Sequence, residues 1–180
     1  MVFFKRGRMK KIFFLLGVFL VVLLFCSGCT TPVSQRSYTN AVYGFSLNPP
    51  AGWSVVESES PMIAVRFVAP KLSNASLVVD APIMVSEGRA LSTYADQLEE
   101  TFSENTVNFS VMSRQGKTIG GLDAYEIVCS YEDNHTVFQV KQVAVVKTRT
   151  VFIITFVASS ERYDTYNAVV DGCIDSFIIT

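Results

Sequence analysis

The sequence has few of the residues on which many enzymes and metalloproteins depend: its 180 residues include one histidine, one tryptophan and four cysteines. The histidine, His135, ends the acidic run 132–135. Transition-metal sites need three or four converging ligands, so a hairpin turn explains this run more simply than a metal site does. A Ser-His-Asp triad would have to use the same histidine, and the chain has no G-x-S-x-G motif. We therefore predict no catalytic site, no metal and no cofactor.

Motifs for phosphate and calcium binding are missing as well. The segment Gly116-Lys117-Thr118 resembles the end of a phosphate-binding loop, but Val111 stands where that loop requires glycine. The acidic residues of segment 91–105 lack the spacing of a calcium-binding loop, and the solvated face of a helix explains them better. The chain also has no internal repeat and no low-complexity segment.

The longest apolar run is short. It comprises the fourteen residues 12–25, which follow Lys10 and Lys11. At about 1.5 Å per residue this run spans roughly 21 Å, less than the ~30 Å hydrocarbon core of a bilayer. A charged start, a short apolar centre and small residues before a cleavage point are typical of a secretory signal.

Cys29 is the predicted lipid-bearing residue. The small residues Ser27 and Gly28 directly before it resemble a lipobox, although Cys26 stands where leucine is usual. Cleavage without lipidation and an uncleaved N-terminal anchor remain as alternatives, and all three place residue 30 onward outside the cytoplasm because the positive cluster stays inside. We predict a signal peptide with a lipobox at 1–28, a polar tether at 29–40, and one domain at 41–180.

Basic residues are scarce after the predicted signal. Its removal leaves 152 residues, about one domain, with ten basic and 16 acidic residues and a net charge of −6. Phosphate binding needs a basic surface, so the balance argues against a nucleic acid partner. Cys129 and Cys173 remain in a compartment that permits disulfides, and the sequence fits either their pairing or their burial as two small apolar residues.

Two segments of the predicted domain have the periodicity of amphipathic helices, and most of the rest alternates like strands. The apolar stripes of the helices are Leu91, Tyr94, Ala95, Leu98 and Phe102, and Tyr163, Tyr166, Val170, Cys173 and Phe177. Strands are predicted at 43–47, 53–56, 62–68, 77–85, from 107 onward, and at 124–131, 136–147 and 150–158.

The predicted strand at 150–158 is apolar on both faces, which indicates a position near the centre of a sheet. Short turns at 132–135 and 148–149 make the last three long strands antiparallel neighbours. Two helices that each bury a stripe, and a sheet that is apolar on both faces, predict an α+β fold. We expect an α/β/α sandwich with a central antiparallel sheet flanked by helices.

Three N-x-S/T sequons begin at Asn74, Asn108 and Asn134. Each falls in or beside a predicted loop. An exported protein could carry glycans there if its host glycosylates, so all three are candidate N-glycosylation sites.

Several motifs in their order resemble the PsbP-like domains of the Mog1/PsbP superfamily. They are YGFSL at 43–47, PAGW at 50–53, GGL at 120–122, and a final helix with Tyr163 and CIDSF at 173–177. The resemblance covers about residues 41–179 and implies the α/β/α sandwich. It also implies an accessory, assembly or binding role rather than an enzymatic one, since prokaryotic relatives include exported lipoproteins such as the DcrB-like group.

The sequence thus predicts a non-enzymatic binding or assembly module outside the cytoplasm, held at the membrane by lipid on Cys29. Its expected partner is another envelope protein, bound through a sheet edge or a helix face. The alternative is a small-ligand receptor in which Trp53, Tyr94 and Tyr125 line an aromatic cleft of at least ~300 Å³.

Overall fold

The computed structural model describes residues 37–56, 58, 60–70, 74–85 and 91–180, without six side chains of segment 91–105, which are Leu91, Tyr94, Ala95, Leu98, Phe102 and Asn105. The predicted signal, Cys29 and most of the predicted tether lie outside these residues. Within the described part, no helix is long and apolar enough to span a membrane.

Strands account for most of the described secondary structure. The elements are β1 (Tyr38–Asn40), β2 (Phe45–Leu47), β3 (Ser54–Val56), β4 (Ile63–Val68), β5 (Ser76–Asp80), β6 (Ile83–Met84), α1 (Leu91–Asn105), β7 (Val107–Ile119), β8 (Leu122–Asp133), β9 (Thr136–Lys147), β10 (Thr150–Ser159), α2 (Ser160–Asp175) and β11 (Ile178–Ile179).

The main sheet is antiparallel and has the strand order β3-β4-β5-β10-β9-β8-β7, with β6 paired to β10. Strand β10 is the middle strand of this order, as its two apolar faces predict. Two-residue turns join the last four strands. Gly120 and Gly121 have φ of 57° and 79°, and Asn134 and His135 have φ of 46° and 63°. Two positive φ values in succession are typical of the type I′ turns that match the twist of a hairpin.

One face of the main sheet carries the core. Phe152, Ile154 and Phe156 of β10 are at most 2% exposed. Helix α2 packs onto this row, with Tyr163 5.1 Å from Phe156 between ring centroids. A second sheet, in the order β1-β2-β11, packs beside the helix, and its Phe45 lies 5.9 Å from Phe152.

The two helices lie on opposite sides of the main sheet. Helix α2 contacts β9 and β10, and its Asp171 pairs with Lys141 of β9. Helix α1 contacts β7, β8 and β9, and its Asp96 lies 2.9 Å from Arg114 of β7. Arg114 pairs with Ile127, and Ile127 pairs with Gln142, so these three side chains lie on one face of the sheet. Lys141 directly precedes Gln142, and because successive residues of a strand face opposite sides, Lys141 lies on the other face.

The predicted antiparallel sheet with two helices is therefore confirmed, but the structure is dominated by sheet. A sandwich flanked by helices describes it only in part, because the second sheet shares one face with α2. The tether prediction is wrong for residues 38–40, which form β1. Tyr38 pairs with Leu47, and its ring packs edge-on against Phe67 at 5.5 Å, so this polar-looking segment is ordered by burial of one aromatic side chain.

Asp80, at the end of β5, gives a test of the burial in this part of the sheet. Burial raises the pKa of Asp80 from 3.8 to about 6, so the folded protein binds more protons than the unfolded chain between these values. Stability therefore falls as pH rises through that range. We expect Asp80→Asn to be more stable than the wild type above pH 7 by about 1–2 kcal/mol, a figure reduced for the partial exposure of the group.

Urea unfolding at several pH values measures this difference. The difference should shrink toward zero below about pH 3, where the carboxyl is mostly protonated in both the folded and the unfolded state. The exposed Asp123→Asn is a matched control and should change stability by less than about 0.5 kcal/mol. A constant advantage of Asp80→Asn at all pH values would contradict the prediction.

Candidate functional site

Strand β7 forms one edge of the main sheet, and among the described strands it pairs with β8 alone. It is a long strand of 13 residues, and most of its side chains are exposed. Register shifts interrupt its pairing between Val107 and Ser110 and between Val111 and Ser113, whereas residues 113–119 pair regularly. The regular part therefore presents an extended backbone edge, the kind of surface to which another strand can add.

The turn at Gly120 and Gly121 determines which backbone groups face this edge. In a two-residue hairpin, the residues that flank the turn, Ile119 and Leu122, form a hydrogen-bonded pair, and such pairs then alternate with non-hydrogen-bonded pairs. Residues 114, 116 and 118 accordingly fall in the non-hydrogen-bonded pairs. Their N–H and C=O groups point away from β8, toward the open edge.

Gly116 lies at the centre of this edge segment, which we define as residues 114–118. A Cβ atom built on Gly116 would meet no other described atom within 4 Å, so the face of the sheet is open above this residue. Glycine inside a strand often marks a place where another backbone approaches closely. Among the residues that the structure describes, the edge segment is thus unpaired on its outer side, and no side chain covers the sheet face at its midpoint.

Ion pairs on both faces hold the edge segment in place. On the side of α1, Arg114 contacts Asp96 at 2.9 Å and also pairs with Glu99. On the side of α2, Lys117 lies 3.3 Å from Glu126 and 3.4 Å from Asp175. Because helices and strand are tied together in this way, the edge is presented in one fixed orientation.

An open groove of about 720 Å³ lies at the opposite edge of the main sheet, beside β3 and β4. Its lining is mixed and includes one charged side chain, Arg66, which is exposed and forms no ion pair with the described residues. The residues that line it are Gly52, Ser54, Val56, Arg66, Val68, Ala69, Pro70, Asn74, Ala75 and Ser76.

The aromatic residues predicted to line a cleft are not brought together. Trp53 packs against Tyr166 and Phe156, at 5.5 and 6.4 Å between ring centroids, on the face covered by α2. Tyr125 pairs with Ala144 and lies on the opposite face. The side chain of Tyr94 is outside the described residues. Alternation of side chains across the sheet therefore excludes one cleft lined by both Trp53 and Tyr125.

Cys129 and Cys173 are both free and buried, so the disulfide considered from the sequence is absent. Cys129 lies in the row of β8 that faces α1, whereas Cys173 is part of α2 on the other side of the sheet. Burial raises the pKa of Cys129 to about 11 and that of Cys173 to about 12. Both are therefore protonated, unreactive thiols at neutral pH.

The three sequon asparagines share a backbone conformation that the sequence did not reveal. Asn74, Asn108 and Asn134 are exposed and have φ of 45°, 53° and 46°. Asparagine is favoured at such left-handed positions, so turn and bulge geometry accounts for all three. The Asn108 side chain also donates a hydrogen bond to Glu132 at 2.8 Å. Their glycosylation stays a prediction.

His135 is fully exposed in its turn, with Nδ1 3.8 Å from a Glu132 oxygen. It lines a second open groove of about 570 Å³ together with the first residues of α2. Across the residues whose placement is described, no group of three or more histidine, cysteine, aspartate and glutamate side chains could hold a metal ion.

Sequence reasoning missed a buried polar cluster between the main sheet and α2. Glu126 and Lys141 are each 5% exposed. Lys141 donates a 2.7 Å hydrogen bond to Asn167 and pairs with Asp171, while Glu126 accepts a 2.7 Å hydrogen bond from Gln115. The signal available in the sequence is a charged residue at an inward position of a strand, as Glu126 is between Ala124 and Val128. The cluster fastens α2 to the sheet.

Comparison with known proteins identifies the family. Residues 30–179 match the family model described as PsbP-like protein. The chain belongs to the PsbP-like family. The resemblance seen in the motifs of the sequence is thereby confirmed. No curated protein sequence matches this PsbP-like chain.

Solved structures share the fold of this PsbP-like protein at low sequence identity. CyanoP, the PsbP protein of Synechocystis sp. PCC 6803, is 19% identical, with a TM-score of 0.58 over 85% of this chain and 96% of its own. LpqN of Mycobacterium tuberculosis, described as involved in cell envelope biogenesis, is 16% identical, with a TM-score of 0.60 over 81% of this chain and 90% of its own. PA94 of Pseudomonas aeruginosa is 12% identical, with a TM-score of 0.56 over 81% and 96% of the two chains.

The buried pair of Lys141 and Asp171 gives a test of the cluster. Lys141→Ala leaves Asp171 half-buried without its cation, so we expect a loss of about 2 kcal/mol in the free energy of unfolding, less than for a fully buried pair. The double variant Lys141→Met with Asp171→Asn removes both charges and should lose under about 1 kcal/mol. Urea unfolding of Lys141→Met, of Asp171→Asn and of the double variant completes the cycle and measures the coupling of the two residues. Independent, additive effects would contradict it.

Proposed function

We propose that this PsbP-like protein is a membrane-anchored, non-enzymatic module outside the cytoplasm that binds an envelope protein by strand addition to β7. The observation that carries the proposal is the edge segment 114–118, whose outward backbone groups are unpaired within the described part of the chain. A partner strand would continue the main sheet beyond β7.

Three further observations support this role. The signal-like segment and Cys29 at the start of the chain favour export and anchoring. The family consists of domains known mainly as accessory modules, which is the expectation that the resemblance raised. One structural neighbour, LpqN, is described as involved in cell envelope biogenesis. We also propose that α1 and α2 serve as the outer layers of an α/β/α arrangement that keeps β7 at the margin.

The free energy gained from strand addition is small, so the partner must contribute other contacts. Each of residues 114, 116 and 118 offers one N–H and one C=O, and each new hydrogen bond contributes about 0.5–1.5 kcal/mol net. Association itself costs about 4–15 kcal/mol in lost freedom, so backbone pairing alone gives weak binding. The partner therefore has to bury apolar side chains as well, and Met112 and Val107 on β7, 55% and 64% exposed, are available for this.

The small-ligand alternative has less support. The groove beside β3 is large enough for a ligand, but it is open, and neither Trp53 nor Tyr125 is among its described lining residues.

Gly116→Pro tests the edge directly. Proline removes the outward N–H of residue 116, and it is tolerated on edge strands where that N–H faces solvent, so pairing with β8 should persist. Gly116→Ala is the matched control, because it keeps the N–H and its Cβ meets no atom within 4 Å. The full chain with a C-terminal tag is used to recover its partner from detergent-solubilised membranes.

The expected result is one stoichiometric partner with the wild type and with Gly116→Ala, and at least ten-fold less of it with Gly116→Pro at unchanged thermal stability. Equal recovery with Gly116→Pro would show that β7 is not the binding edge. Failure to recover any stoichiometric partner would remove most of the support for a binding role.

Intact-mass measurement of membrane-extracted protein tests the anchor separately. We expect a chain that begins at Cys29 and carries the added mass of a lipid. A mass that includes residues 1–28, or a chain cleaved without lipid, would replace the predicted anchor by one of its two alternatives.

A further inference from the structure

The turns at the two ends of the main sheet differ in chemistry. Val42, Met62 and Met84 are the most exposed large hydrophobic side chains of the described residues, at 86%, 76% and 70%. All three lie in or beside the turns at 41–44, 60–62 and 81–84. We call this the apolar end of the sheet.

Hydrogen bonds and strand pairing show that these turns are neighbours. Asn40, just before the first turn, donates a 3.3 Å hydrogen bond to the carbonyl of Ala64 in β4. The carbonyl of Met62 accepts a 2.8 Å bond from the N–H of Ala81, and Met84 pairs with Thr150 at the start of β10. The apolar tips are therefore carried by adjacent strands.

The opposite end of the sheet is more polar, although Val107 and Val137 are exposed there at 64% and 48%. Its turns expose Asn74, Asp133, Asn134 and His135, and the first turn of α2 exposes Glu161. A protein that is surrounded by water on all sides has no need to collect its most exposed apolar side chains at one end. The asymmetry indicates that the apolar end contacts a nonpolar surface.

Among the described residues, the charges at the apolar end balance, because Lys147 and Arg149 lie there together with Asp80 and Asp123. The exposed apolar side chains rather than electrostatics would therefore carry the contact. Arg149 is exposed beside Met84 and donates to the carbonyl of Val85 at 3.3 Å, which directs its guanidinium toward this end. Asp80 and Asp123 also lie toward this end, Asp80 half-buried and Asp123 on β8, two strands away from β10. An exposed arginine beside exposed apolar side chains can bind the phosphate groups of a lipid surface while the apolar side chains insert.

The start of the described chain is compatible with such a contact. Seven residues, or eight Cα–Cα steps, separate Ser37 from the predicted lipid on Cys29, and fully extended they reach at most about 29 Å. From Ser37, strand β1 runs about 13 Å to the turn at 41–44. A tether of this length allows the apolar end to reach the bilayer in which the lipid is inserted.

We propose that Val42, Met62 and Met84 insert into the interface of the bilayer that holds the anchor, so that the apolar end faces the lipid and the His135 end points away. The inference rests on the proposed anchoring for its geometry, but the contact is a property of the folded domain. It gives the domain one orientation, with the long axis of β7 directed away from the membrane.

Spin labelling of the full chain tests the contact. Labels are placed at Met62→Cys and at Met84→Cys, with Val137→Cys at the opposite end as the control, 48% exposed. The native Cys129 and Cys173 are 2% exposed, and a chain without introduced cysteine measures background labelling, including any at Cys26 and at Cys29 without lipid. Each chain is reconstituted into vesicles of phosphatidylcholine and phosphatidylglycerol in equal parts. Relaxation by oxygen and by a water-soluble nickel chelate reports the depth of each label.

The ratio of oxygen to nickel accessibility should be at least five-fold higher at Met62 and Met84 than at Val137. A label at Val42→Cys should lose this excess in a chain with Met62→Asp and Met84→Asp, and should keep it in a chain with Val137→Asp. This arm shows that the native side chains, rather than the label, cause insertion.

The failures of the contact and of the anchor are distinguishable. A chain that floats with the vesicles but gives equal ratios at both ends overturns the contact and leaves the anchor standing. A chain whose mass shows no lipid, yet whose labels at Met62 and Met84 lie in the bilayer, supports the contact alone. A chain that does not float at all overturns both.

Discussion

The structure depends on the packing of one row of side chains along β10. Phe152, Ile154 and Phe156 point to the same face of the central strand and are almost completely removed from water. Both α2 and the small sheet of β1, β2 and β11 are held to the main sheet by contact with this row. Interiors are close-packed, so truncation of an aromatic ring here would leave a cavity next to two separate layers at once.

The same face changes character toward β7. Beyond the apolar row, the inward positions of β9 and β8 are occupied by Lys141 and Glu126, which are satisfied by partners on α2 and β7. A buried charge without a partner is strongly unfavourable, so these residues admit few arrangements of the helix over the sheet. In the described region, packing against the apolar row thus holds the layers together, and the polar cluster determines where α2 lies on the main sheet. Together they leave the outer side of β7 uncovered.

Periodicity predicted the parts of the fold that depend on burial of a repeated pattern. Both helices, the antiparallel hairpins and the central place of β10 follow from stripes and alternation that any reader of the sequence can count. The prediction of an aromatic cleft failed because the face on which each side chain lies depends on strand order and register. Trp53 and Tyr125 are both aromatic and half-buried, but alternation across a sheet whose strand order was unknown places them on opposite faces.

The edge segment and the polar cluster lay beyond sequence reasoning for the same reason. Gly116-Lys117-Thr118 attracted attention as a fragment of a phosphate-binding motif, whereas its significance comes from being the last strand of the sheet. Glu126 and Lys141 looked like ordinary strand residues until their partners on another element were known. The sequon asparagines show the reverse case, since a local backbone angle explains residues that a motif had marked for another purpose.

The pairing of β2 with β11 determines how late in synthesis the small sheet can form. The small sheet joins a strand near the start of the domain to a strand that follows all the others, with Ile178 opposite Ser46. During synthesis, the small sheet therefore cannot close until residues 178–179 have left the ribosome.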